Sequence, residues 1–243
     1  MKKGDNAEEM GSYFHGDMLI PMSRMKFDPN AAREIRWQGG IVPYELDSGF
    51  SNERSLIQRA MRLLEQHTCV RFEPRSGRTR AYVAFERKQD GCWSALGRTG
   101  GRQIINLQPN GCFSPGTVIH EMMHALGLPH EQSRQDRDRH VRIIWSNIRR
   151  GEEPQFAIHR GYNGIDSNYD FISVMHYGLR AFSKINRLYG CQATSNTVRT
   201  TQRSNTAYRF RPQIANRNFY RFNYNNAGYG GLFRDGDNNI NDK

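Results

Sequence analysis

Apolar and polar positions follow two different periods along the first two thirds of the chain. After Ser51, Leu56, Ile57, Ala60, Met61, Leu63 and Leu64 recur at three- and four-residue intervals. That spacing predicts a helix with one apolar face, and Ser51 is placed to cap its start. A second helix is predicted over Val118–Leu126, with Ser114 as N-cap, Pro115 in the first turn and Gly127 as the left-handed stop. Residues 37–46 read as a turn followed by a short strand, for which Pro43 argues an edge position, and 70–73, 81–85 and 104–107 read as strand-like runs. Residues 141–148 predict a further helix after the charged run 134–139. Residues 1–29 are polar, Met-rich and without sustained periodicity, and read as an extended segment. Residues 192–243, rich in Asn, Arg, Gly and Tyr, read as a disordered tail. No internal repeat is visible. The mixture of strands and helices predicts an α+β fold, a sheet packed on helices.

A chain of 243 residues allows one large domain or two small ones and can bury a sizeable core. No apolar run approaches the roughly 18 residues that a membrane-spanning helix needs, and the mean hydropathy is −0.80. Aromatic residues at 11% argue against pervasive disorder. The net charge of +11 suits nucleic acid, an anionic surface or acidic substrates. Residues 192–243 carry a net +5 of it, as eight Arg/Lys and three Asp, and their Arg and Tyr side chains permit stacking and phosphate contact. No ordered nucleic-acid motif accompanies them. A solvated basic surface is therefore favoured and no nucleic-acid partner is expected.

Cys69, Cys92, Cys112 and Cys191 suit two disulfides in an oxidising compartment, or four free buried thiols. Three connectivities are open. The absence of a C-x-x-C pair argues against a cysteine zinc site. Met1 to Asp5 form a basic tip with no apolar stretch behind it, which is not a signal peptide. That conflicts with disulfides and predicts a truncated or misassigned start.

The segment His120-Glu121-Met122-Met123-His124-Ala125-Leu126-Gly127-Leu128-Pro129-His130 concentrates the chemistry. His120 and His124 are four apart and so share one helix face, from which two imidazoles reach one metal. Gly127 lets the chain turn and bring His130 round as a third ligand. Three neutral nitrogens leave open positions on zinc, as a catalytic site needs. Glu121, beside the first ligand, is placed as general base and acid. A purely structural zinc site has no use for that carboxylate.

This motif resembles that of the metzincin zinc peptidases, and its continuation His130-Glu131-Gln132-Ser133-Arg134 is similar to the astacin family. Arg36-Trp37-Gln38-Gly39-Gly40-Ile41-Val42-Pro43-Tyr44 looks like the start of a mature astacin domain. Gly91-Cys92-Trp93-Ser94 and Gly97-Arg98-Thr99-Gly100-Gly101-Arg102-Gln103 look like its central hairpin region. Ser173-Val174-Met175-His176-Tyr177 looks like its Met-turn. The resemblance implies a metzincin-type zincin: a twisted, mostly parallel sheet with two long helices, and one Zn2+ in a cleft above a C-terminal subdomain. It implies a secreted endopeptidase acting on proteins or peptides. Met175 would floor the zinc site, Tyr177 would be a fifth ligand that swings to stabilise the oxyanion, and Glu131 would be structural. Disulfides Cys92–Cys112 and Cys69–Cys191 are implied. Phe14-His15-Gly16-Asp17 resembles the family's F-x-G-D prosegment motif, so Asp17 would ligate the zinc and keep a zymogen latent, with activation cleavage near 24–30. The implied organisation is a prosegment over 1–29, a catalytic domain over 30–191 and the tail over 192–243.

One departure stands out. Ala181-Phe182-Ser183-Lys184 runs straight into Ile185-Asn186-Arg187-Leu188-Tyr189-Gly190-Cys191, where the family pattern carries about 35–40 more residues. The C-terminal subdomain is thus expected to be reduced and irregular, and the Cys69–Cys191 bond to be put in doubt. Pro129 stands where the family more often has an aromatic residue. The competing expectation is a splice or gene-model variant that binds zinc without turnover.

Overall fold

In chain order the elements are β1 (Met18–Leu19), β2 (Ile41–Leu46), α1 (Arg54–His67), β3 (Arg71–Pro74), β4 (Tyr82–Glu86) and β5 (Cys92–Ala95). Then come β6 (Arg102–Leu107), α2 (Pro115–Ala125), β7 (Val141–Ile143) and β8 (Cys191–Ala193). The computed structural model describes residues 13–20, 35–159, 168–184 and 190–194. Six strands form one sheet in the order β1-β5-β6-β4-β2-β3, and β5 is antiparallel to β6 while every other pair is parallel. The expected α+β architecture, a mostly parallel sheet with two helices, is what the chain adopts.

Period-two patterning builds the core. Val42 from β2, Val83 and Phe85 from β4, and Ile105 and Leu107 from β6 meet Ile57, Ala60, Met61 and Leu64 of α1 and Val118, Ile119 and Met122 of α2. Each large aliphatic side chain fully buried there contributes about 1.5–3 kcal/mol. Pro43 sits on a strand, β2, that lies inside the sheet rather than at its edge. It is tolerated because β4 pairs with β2 only from Tyr44 onward, so at Pro43 the strand has β3 alone beside it.

Ser51 does not cap α1. It falls in a turn that runs into the helix, with Arg54 N donating to Phe50 O (3.0 Å), and the residue before the helix makes no side-chain cap bond. Ser114 does cap α2, accepting from Thr117 N at 3.0 Å, with Pro115 in the first turn. Cys92 and Cys112 are disulfide-bonded across 20 residues, tying the start of β5 to the turn before α2. A loop of that size contributes about 3 kcal/mol in the loop-entropy account.

The segment 141–148 is not a helix. Val141 and Ile143 are buried around exposed Arg142, a two-residue period that pairs with β8, and a 3-10 turn follows at Trp145–Asn147. This small sheet carries a second core of Val141, Ile143, Ile148, Phe156, Tyr169, Ala181, Phe182 and Cys191. Further main-chain bonds tie it together: Ile144 N donates to Gly190 O (2.8 Å) and Gly190 N to Leu179 O (2.8 Å). The Cys69–Cys191 disulfide does not form. Cys191 is drawn into this second core opposite Ile143, while Cys69 is exposed between α1 and β3, and both are free. The tail expected from residue 192 begins with two strand residues, Gln192 and Ala193; residues 195–243 lie outside the described residues. Among the described residues no helix is long and apolar enough to cross a membrane.

Candidate active site

α2 sets His120 and His124 one turn apart, their rings 4.5 Å between centroids and nearly perpendicular. Gly127, at φ 99°, reverses the chain, a conformation that costs glycine least. Leu128 N then donates to Met123 O (3.0 Å), and His130 is delivered with its ring 5.2 Å from His120 and 4.7 Å from His124. His124 and His130 are fully buried and His120 almost so.

Asp17, also fully buried, enters from the N-terminal segment. Its Oδ2 lies 3.1 Å from both His120 Nε2 and His130 Nε2, and its Oδ1 lies 3.5 Å from His124 Nε2. The four donor atoms fall within 4.8 Å of one another. β1 holds Asp17 there by pairing parallel to β5, with Ser94 N donating to Asp17 O (2.9 Å) and Leu96 N to Leu19 O (3.1 Å). His15, two residues earlier, is fully buried in a left-handed conformation, φ 52°. No reading of the sequence singled it out beyond its place in the motif.

The donor set fits a zinc ion. His120 Nδ1 donates to Val174 O (2.8 Å) and His124 Nδ1 to Leu128 O (2.7 Å), so both Nε2 atoms present lone pairs inward. Ligands tetrahedral about zinc at about 2.0–2.1 Å sit about 3.3 Å apart. The 3.2 Å between His130 Nε2 and His120 Nε2 and the 3.1 Å to Asp17 match that spacing. Burial pulls His130 down to about 3 and His124 below its ordinary value, which keeps both imidazoles neutral, the form that ligates a metal.

Around this set the chain is tightly tied. Glu121 is fully buried next to His120. Met175 is buried, and its carbonyl accepts from Glu131 N (2.9 Å). Glu131 accepts from Arg134 Nη1 and from Asp170 N, both at 2.9 Å, while burial raises its pKa against those bonds. The Tyr177 ring lies 4.5 Å from that of His130, and its hydroxyl donates to His15 O. Gln132, which sequence reading passed over, accepts from Tyr177 N across 45 residues (2.9 Å); no local pattern signals so long a contact. A surface concavity of about 490 Å³ lies elsewhere, among the ion pairs Arg75–Glu45 and Arg102–Glu86, and holds none of these groups.

A family model described as Astacin, a peptidase family, matches residues 30–217. The chain belongs to the astacin family. It is 39% identical over 190 residues to zinc metalloproteinase nas-6 of Caenorhabditis elegans, covering 76% of this chain and 52% of that protein. It is 36% identical over 186 residues to the low choriolytic enzyme of Oryzias latipes, covering 74% and 68%. Among solved structures it resembles high choriolytic enzyme 1, a hatching-enzyme zinc protease of Oryzias latipes, with a TM-score of 0.62 and 37% identity over 66% of this chain and 80% of that one. The chain spans 52% of nas-6 and 58% of nas-4, about half of these curated relatives. The expected metzincin-type astacin fold is thereby met in the described residues.

Proposed function

We propose that this astacin-family chain is a zinc-dependent endopeptidase, made as a latent zymogen, that hydrolyses internal bonds of proteins or peptides. The convergence of three histidine Nε2 atoms on one point, with the tautomers of His120 and His124 fixed by main-chain carbonyls, carries the reading. His120, His124 and His130 would hold one Zn2+ per chain. A zinc ion held there would supply Lewis acidity and move the pKa of a bound water toward about 7. Glu121 takes the proton of the attacking water and passes it to the leaving amine. Tyr177 would be a further ligand in the trimmed enzyme and would turn its phenol to the developing oxyanion. Met175 floors the site and Glu131 braces the third-ligand loop.

Latency is supported by Asp17, whose carboxylate occupies the place where water and substrate would meet the metal. β1 also fills the β5 edge beside the cleft. Secretion is supported by the Cys92–Cys112 bond, which belongs to oxidising compartments. Hydrolysis of casein by chain trimmed of residues 1–29, with and without a zinc chelator and beside Glu121→Ala, tests the reading. Cleavage that needs both zinc and Glu121 is expected.

The shortened stretch at Lys184–Ile185 favours a second reading, a form that binds zinc without turnover. Folded, zinc-loaded protein that leaves casein intact would establish it in place of the first.

A further inference from the structure

Gln132 follows the third histidine and its neighbour Glu131, and it is almost wholly buried. Its Oε1 accepts from Tyr177 N (2.9 Å). Only an oxygen can accept that N–H, so the amide orientation is fixed. Its Nε2 is left buried with no hydrogen-bond partner among the described residues. An unpaired buried N–H2 is unfavourable, and an apolar side chain would fill the space without it.

The other end of the Tyr177 peptide is also held. Tyr177 O accepts from His176 Nδ1 (2.8 Å), and His176 Nε2 accepts from Tyr169 OH (2.7 Å). With Nδ1 donating to a carbonyl and Nε2 accepting from a hydroxyl, a single His176 tautomer serves both bonds. Gln132 and His176 therefore clamp the Tyr177 main chain at N–H and C=O. Once the N-terminal segment that bonds its hydroxyl is removed, any turn of the phenol is left to its side-chain torsions.

We propose that Gln132 is a positioning residue for Tyr177. It fixes the main-chain pivot about which the phenol turns from the metal to the oxyanion. The inference rests on the endopeptidase reading, in which Tyr177 makes that turn. A fixed pivot places the hydroxyl by side-chain rotation alone, and preorganised donors of this kind act mainly in the transition state.

The test uses the chain trimmed of residues 1–29 and compares Gln132→Met, Tyr177→Phe and the double variant. Gln132→Met is expected to lower kcat about 10–100-fold with KM little changed. In the Tyr177→Phe background the same change should cost less than about twofold, because the group it positions is gone. Gln132→Glu, which keeps an acceptor oxygen, should recover most of kcat. A second readout needs no turnover. With Cu2+ in place of zinc, a phenolate-to-copper charge-transfer band should be present in wild type, shifted or weakened in Gln132→Met and absent in Tyr177→Phe. If Gln132→Met does not hold one metal per chain, Gln132→Asn, which withdraws the amide by one methylene, takes its place. An equal loss in both backgrounds, an unchanged kcat in an active enzyme, or an unaltered copper band overturns the proposal. A wild-type chain without zinc- and Glu121-dependent cleavage overturns the endopeptidase reading instead, and the copper band then decides the role of Gln132.

Discussion

The hydroxyl of Tyr177 donates a hydrogen bond to the main-chain carbonyl of His15. The segment that brings Asp17 to the histidines thus also holds the group assigned to the oxyanion. His15 adopts φ 52°, uncommon for a residue with a side chain, so the surrounding contacts hold the turn in place. Phe14 stacks on His15 with ring centroids 3.9 Å apart, and the His15 ring lies 5.7 Å from that of His130. Removing the carboxylate should loosen this plug. Untrimmed Asp17→Ala is expected to cleave a fluorogenic peptide about tenfold or more faster than untrimmed wild type. Equal rates would remove Asp17 from latency.

Glu121 and the histidines should separate cleanly. Glu121→Gln is expected to keep one zinc per chain and lose about 10²–10⁴-fold in kcat, the range of general acid–base catalysis. His124→Ala should instead lose zinc, since it deletes a buried donor atom of the cluster. Metal content by atomic absorption beside kcat checks both. A Glu121→Gln chain that loses its zinc, or retains its activity, contradicts the assignment.

His176 makes stability depend on pH. Its folded pKa, pulled down by burial to about 4, lies below the ordinary 6.5. Between these values the unfolded chain binds the proton and the folded one does not, so stability rises with pH across that window. The contribution is fully present above about 6.5 and is lost as pH falls toward about 4. Urea midpoints from pH 7.5 to 4 on metal-free protein should fall in wild type, and less steeply in His176→Gln. Parallel curves would assign the slope to other groups.

The two unpaired cysteines should differ in reactivity. Cys69 is exposed, whereas burial pushes the Cys191 thiol up to about 12. A thiolate reagent is expected to label one thiol in the native protein and a second only on unfolding. Native protein with no reactive thiol would mean that Cys69 and Cys191 are bonded after all.

What the sequence made legible was local. The cap at Ser114, the stop at Gly127 and the four-residue step from His120 to His124 each act within a turn or two, and α2 with its ligands follows them. β5 escaped because Cys92-Trp93-Ser94-Ala95 has no β-branched run; its strand character comes from pairing with β6. The segment 141–148 reads as a helix in sequence because three strand residues give too short a window to separate a two-residue from a 3.6-residue period. Its partner β8 lies about fifty residues away in the chain. That pairing also explains the missing disulfide, since it carries Cys191 into a core of its own. Gln132 was invisible for the same reason, because its meaning lies in Tyr177, 45 residues on.

The central claim is that three histidines and Glu121 make this chain a zinc endopeptidase. Its most direct test is mass spectrometry of the products from an unfolded protein treated with trimmed chain, first metal-stripped and then reconstituted with one equivalent of zinc. The account predicts no cleavage without metal and, with zinc, fragments cut at internal bonds, all absent with Glu121→Gln. Intact substrate in the presence of folded, zinc-loaded wild type would contradict it.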